Sequence, residues 1–156
     1  DDGEQLRERI FEQADARIRG AEAEIGYNQT GQGLSLRAFA DTSHGKLERG
    51  DSLPLQPASR VGFDIGYRKG AIRSGLSLVR ALEQDRLASF EDSATPAYTQ
   101  LGANLSYTQK FRSQDLTWFL LAKNLLDEDI RLSTSLLKDV SPLPGRNFVF
   151  GVRTRF

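Results

Sequence analysis

Seven segments of roughly ten residues, each alternating apolar with polar or small side chains, constrain this chain more than anything else in it. A period of two places successive side chains on opposite faces of an extended strand, so each segment predicts a β-strand with one apolar face. The first, about 16–28, sets Ala21, Ala23, Ile25 and Tyr27 against Gly20, Glu22, Glu24 and Gly26; the second, about 33–42, sets Leu34, Leu36, Ala38 and Ala40 against Ser35, Arg37, Phe39 and Asp41. Phe39 breaks the polar face. The third, about 59–67, is the cleanest, with Val61, Phe63, Ile65 and Tyr67 opposite Arg60, Gly62, Asp64 and Gly66. A fourth sets Ile72, Ser74, Leu76 and Leu78 opposite Arg73, Gly75, Ser77 and Val79, and a fifth, about 97–109, sets Leu101, Ala103, Leu105 and Tyr107 opposite Gln100, Gly102, Asn104, Ser106 and Thr108. In the sixth, Trp118-Phe119-Leu120-Leu121 is apolar on both faces, so periodicity does not set its phase. The seventh sets Phe148, Phe150, Val152, Thr154 and Phe156 against Asn147, Val149, Gly151, Arg153 and Arg155.

The connections alternate as regularly as the residues do. Short turns (Gln29-Thr30-Gly31-Gln32, Arg68-Lys69-Gly70, Arg112-Ser113-Gln114-Asp115) follow the odd strands, and long polar loops (42–58, 83–97 and 127–145) follow the even ones. Tight turns at one end and extended loops at the other are the layout of bacterial outer-membrane barrels, and strands of nine to eleven residues suit a tilted crossing of the bilayer. No apolar run approaches the ~18 residues of a membrane-spanning helix, whereas a barrel's alternation keeps mean hydropathy near the soluble range, as the value of -0.46 does here. Glu22, Glu24, Arg60, Asp64 and Arg153 on the polar faces would be costly in a dry sandwich core and are at home in a wet lumen. Tyr27, Tyr67, Tyr107 and Phe156 fall beside the short turns, where an interfacial aromatic girdle lies. A soluble antiparallel sandwich or a lipocalin-like barrel is the alternative architecture. An odd strand count does not close a single-chain bacterial barrel, so the expectation is all-β: about seven strands of a larger antiparallel transmembrane β-barrel.

Composition narrows the function. Lys plus Arg (21) balance Asp plus Glu (21), which gives no nucleic-acid footprint; the absence of cysteine excludes a disulfide framework, a thiolate metal site and a Cys nucleophile. The opening Asp1-Asp2-Gly3-Glu4 is not a signal peptide, so an exported protein is represented here by a mature piece.

Several short motifs, in order, resemble those of TonB-dependent outer-membrane receptors. Asn124-Leu125-Leu126-Asp127 is similar to the family's NL(F/L)(D/N) signature on the penultimate strand, and Pro142-Leu143-Pro144-Gly145-Arg146-Asn147-Phe148 to its PxPGRxF entry into the last strand. The end Phe150-Gly151-Val152-Arg153-Thr154-Arg155-Phe156 resembles the family's terminal aromatic pattern, and Ala14-Asp15-Ala16-Arg17-Ile18-Arg19-Gly20-Ala21-Glu22-Ala23-Glu24 its A(R/T)xxGxExE strand. The resemblance spans nearly everything from about residue 12, and most resembles the subgroup that includes zinc-uptake and other metal-uptake members. It implies that residues 1–156 are the C-terminal portion of the barrel domain, without a plug domain. It further implies partners in outer-membrane lipid, the barrel-assembly machinery, and, through other regions, a plug and TonB.

Each motif also has a local reading. Pro144 fixes φ and removes a donor while Gly145 permits a sharp change of direction, which together steer a long loop into the last strand. Phe150, Val152 and Phe156 form an alternating apolar edge open to strand addition, similar to the signal read by the assembly machinery. Glu22 and Glu24, two apart, share the lumen-facing side, either as solvated wall charges or as contacts to a plug or substrate. Asp41, His44, Glu48 and Asp51 are the candidates for binding a divalent metal, weighed against ordinary solvated loop charges. Ser43 and His44, adjacent on an extended chain, point to opposite sides and cannot form a nucleophile and base pair, so no enzymatic activity and no cofactor are expected. The resemblance implies energy-coupled uptake of a metal ion or chelate (zinc, siderophore iron or haem). The alternatives are a small structural or adhesive barrel and a soluble β-domain that binds a lipophile.

Overall fold

The alternation becomes one antiparallel meander. The computed structural model describes residues 13–111 and 114–155, the side chain of Arg155 excepted. Its strands are β1 (Ala16–Tyr27), β2 (Gly33–Leu47), β3 (Arg60–Lys69), β4 (Ile72–Ala81), β5 (Tyr98–Phe111), β6 (Gln114–Lys123) and β7 (Asn147–Arg155), paired in sequence order in a single sheet. Among the described residues there is no helix, hence none long and apolar enough to cross a membrane. The turn residues Arg112 and Ser113, and Phe156, lie outside the described residues.

Register carries the period-two pattern across the sheet. Tyr27 sits opposite Leu36, Leu36 opposite Ile65, Ile65 opposite Leu76, Leu76 opposite Ala103 and Ala103 opposite Ala122, so the apolar residues of neighbouring strands fall on one face. A slip of one residue in any pair would turn that strand over. The phase that the sixth segment left open is fixed in the same way: Tyr107 pairs with Trp118 and Leu105 with Leu120, which puts Trp118 and Leu120 on the apolar face and Phe119 and Leu121 on the other.

That apolar face is uncovered. Ile25 is 74% and Phe150 67% exposed, and Tyr27, Tyr67, Tyr107 and Trp118 stand near the short-turn end of the same face. Trp118 stacks against Phe150 with ring centroids 6.0 Å apart. Along β5, Thr99 and Gln109 bound the apolar stretch; ten rises of ~3.4 Å at a tilt of ~40° project to a height of ~26 Å, matching the apolar band of a membrane barrel.

β2 runs beyond the expected 33–42. Residues 43–47, read from the sequence as the start of a loop, continue the ladder against Ala16–Gly20. Polarity suggested a loop, but the ladder is made by backbone N–H and C=O groups, so polar side chains do not prevent pairing. Gly45 anchors the extension, donating its N–H to Gln56 Oε1 at 2.7 Å and accepting from the Leu53 N–H at 3.0 Å, while the Leu53 side chain occupies the place a Cβ would take.

Candidate functional site

Two regions concentrate polar chemistry: the face opposite the apolar one, and the cap formed by the long loops. On the charged face, Arg37 lies directly across from Asp64 and diagonally from Glu24, because the register sets Arg37 against both Gly26 and Asp64. Its guanidinium donates Nη1 to Asp64 Oδ2 at 2.9 Å and Nη2 to Glu24 Oε2 at 2.8 Å. One cation therefore ties three strands. The same guanidinium lies 4.5 Å from the centroid of the Phe39 ring, and that ring covers Gly62, where any Cβ would collide with it. This explains the aromatic that interrupts the polar pattern: Phe39 fills the space above a glycine and presents a π face to a cation. The arrangement recurs at the far edge, where Phe119 covers Gly151 and Arg153 stands 6.0 Å from the Phe119 centroid.

Nearer the long loops, Arg60 meets Asp41 side by side, with Nε to Oδ1 at 3.2 Å and Nη2 to Oδ2 at 3.0 Å. Such a fork fixes orientation as well as charge. Glu22 faces Asp41 across the β1–β2 pair, and a shallow recess lies between Gly20, Glu22, Thr42, Ser43 and Arg60.

The cap is built differently. Ile130 and Asn124 are its fully buried side chains, at 0% and 1% exposure. Asn124, in the left-handed region (φ 49), donates Nδ2 to the carbonyls of Glu128 (2.9 Å) and Pro144 (3.3 Å) and accepts from the Glu128 N–H (3.1 Å). Asp127, also left-handed (φ 59), accepts the Arg146 N–H at 2.7 Å, and a Cβ on Gly145 would press on its carboxylate. The two sequence motifs therefore form one clamp, which holds the exit of β6 to the entry of β7. Leu125, between them, donates its N–H to the Leu101 carbonyl at 2.9 Å and fixes the clamp to β5. Deeper in the cap, Lys138 Nζ pairs with Glu91 at 3.1 Å, both side chains 5% exposed, and also donates to the Ser93 carbonyl at 2.6 Å. Glu91 in turn accepts the N–H groups of Ala88 and Leu55, and Ser93 donates to Asp139. All three long loops meet at this pair.

The sheet with its loops superimposes on a solved chain described as copper transporter OprC, with a TM-score of 0.74 and 24% sequence identity over 89% of this chain. The fold is that of an outer-membrane barrel wall. The chain spans 24% of the length of that neighbour. No protein-family model matches the sequence.

Within this fold, the sequence-predicted residues separate. Glu22 and Glu24 share the charged face, and Phe150 and Val152 share the apolar face of the edge strand β7. Asp41, His44, Glu48 and Asp51 are not gathered: among the described residues no group of three or more His or carboxylate side chains is placed to hold a metal. The reason is geometric. Asp41 is on the charged face and engaged by Arg60, His44 is three residues on and thus on the opposite face beside Arg19, and Glu48 and Asp51 follow past the end of β2. Residues the sequence pattern did not single out carry the ion pairs with the most partners: Arg37, Glu91 and Lys138. Their partners are 27 and 47 positions distant for Asp64 and Glu91–Lys138 respectively, separations invisible to local periodicity.

Proposed function

We propose that this chain is a section of the wall and outer-loop cap of a TonB-dependent outer-membrane receptor that imports a metal ion or metal chelate. The observation that carries the reading is the division of one registered sheet into an uncovered apolar face and a face of solvated ion pairs, with every long loop at one end. Lipid satisfies the first face and a water-filled lumen the second. Both β1 and β7 are sheet edges, and further wall strands would pair with them. The motif clamp at Asn124, Asp127 and Gly145 supports the family reading, and the likeness to a copper transporter supports metal as cargo. In this reading the wall binds and conducts rather than catalyses, and gating belongs to a plug carried elsewhere. Deleting the encoding gene should lower cellular accumulation of one of zinc, copper, haem or a ferric chelate when that metal is scarce. Unchanged accumulation and growth under limitation of each would contradict the proposal.

A further inference from the structure

Beneath the cap, between the starts of β3 and β5 and the loop 124–146, is a cavity of about 170 Å³ whose polar lining consists of donors. Arg60, Thr95, Tyr98, Arg131, Ser133 and Thr134 face it, and no carboxylate is among its lining residues. Both guanidiniums are held by carboxylates that are not part of the lining. Arg60 spends Nε and Nη2 on Asp41, which leaves Nη1 uncommitted. Arg131 spends Nε and one Nη2 hydrogen on Asp129 and one Nη1 hydrogen on the Lys138 carbonyl, which leaves a hydrogen on each Nη. Ser133 Oγ accepts the Ala58 N–H at 3.2 Å, so its own proton is available to donate. Cations fixed in place by their own partners lose little freedom on meeting an anion, and guanidinium forks match the geometry of a carboxylate.

We propose that this cavity takes a carboxylate arm of a polycarboxylate metal chelate. The volume is below the roughly 300–1,000 Å³ of pockets that engulf a whole drug-sized ligand, so it suits one arm, with the metal centre left at the mouth. This inference rests on the import reading and names a substrate class for it: a metal carried in as an anionic carboxylate complex, recognised through its oxyanion rather than by side-chain ligands to the metal. Asp41 and Asp129 hold the arginines in position without lining the cavity.

The test is calorimetric titration of the full-length protein in detergent with citrate, ferric citrate, inorganic phosphate and zinc chloride. Citrate and ferric citrate should bind more tightly than phosphate. Arg131→Gln should weaken citrate at least tenfold, and Tyr98→Phe, which removes a single hydroxyl, by a smaller factor, with both variants retaining the heat-modifiable gel mobility of a folded barrel. Citrate affinity unmoved in both folded variants would overturn the site, and so would phosphate binding as tightly as citrate. Absence of citrate binding in a protein whose gene still supports metal accumulation in cells would overturn this inference and leave the import reading standing. Loss of that cellular phenotype is the separate failure of the import reading.

Discussion

The wall and the cap of this molecule keep their apolar and charged groups in opposite places. In the wall, Ile25 and Phe150 are largely exposed and the ion pairs of Arg37 and Arg60 are partly open to solvent; in the cap, Ile130 and Asn124 are sealed and the Glu91–Lys138 pair is 5% exposed on both sides. The wall has the order of a structure whose apolar partner is its surroundings. It has no interior of its own, and its strands are held by backbone ladders and register. The cap has the order of a small water-soluble core: an aliphatic residue at the centre, a buried amide that satisfies three backbone groups, and a charge pair supported by further hydrogen bonds. One chain thus carries both kinds of order, with the sealed cap at the long-loop end of the exposed sheet.

Substitutions should separate the two regions sharply. Lys138→Met leaves Glu91 buried without its cation and should cost the cap about 3–5 kcal/mol, read as faster hydrogen exchange at the amides of Leu55 and Ala88 with the wall strands unchanged. If the wall strands exchange equally fast, cap and wall are one cooperative unit and the contrast fails. In the wall, Leu76→Lys near the middle of the apolar band should cost about 2–4 kcal/mol in a bilayer, whereas Ser77→Lys one residue on, facing Asp64, should be tolerated; denaturant titration in liposomes compares them. Equal losses would mean that the two faces are not in different solvents. Smallest of all is Arg37→Gln, which removes a solvent-exposed network and should leave the unfolding midpoint nearly where it was. A large drop would show the charged face to be dry, as the cap is.

Much of the wall was legible in the sequence and little of the cap was. Period two suffices for strands such as Val61–Tyr67, because each side chain's face follows from its parity alone. It failed at Trp118–Leu121, where both parities are apolar and only pairing with Leu105 and Tyr107 decides. It also ended β2 too early, since the residues after Asp41 are polar yet paired. Asn124, Asp127 and Gly145 were visible as motifs by resemblance, but that they close on one another is a fact of tertiary structure. Nothing in the local pattern distinguishes Glu91 and Lys138 from the other loop charges; burial singles them out, and burial there depends on three loops packing together. The candidate metal residues show the converse, as proximity in sequence did not survive the alternation of a strand.

The central claim, that the apolar face meets lipid and the charged face meets water, has a direct measurement. Because the chain contains no cysteine, single cysteines can be placed in it one at a time from Leu101 to Tyr107 and spin-labelled in liposomes. A strict two-residue alternation is expected: labels at 101, 103, 105 and 107 relaxed by oxygen dissolved in the bilayer, and labels at 102, 104 and 106 relaxed by a water-soluble nickel complex. Uniform access to the aqueous reagent along the segment, or alternation of the opposite phase, would contradict it.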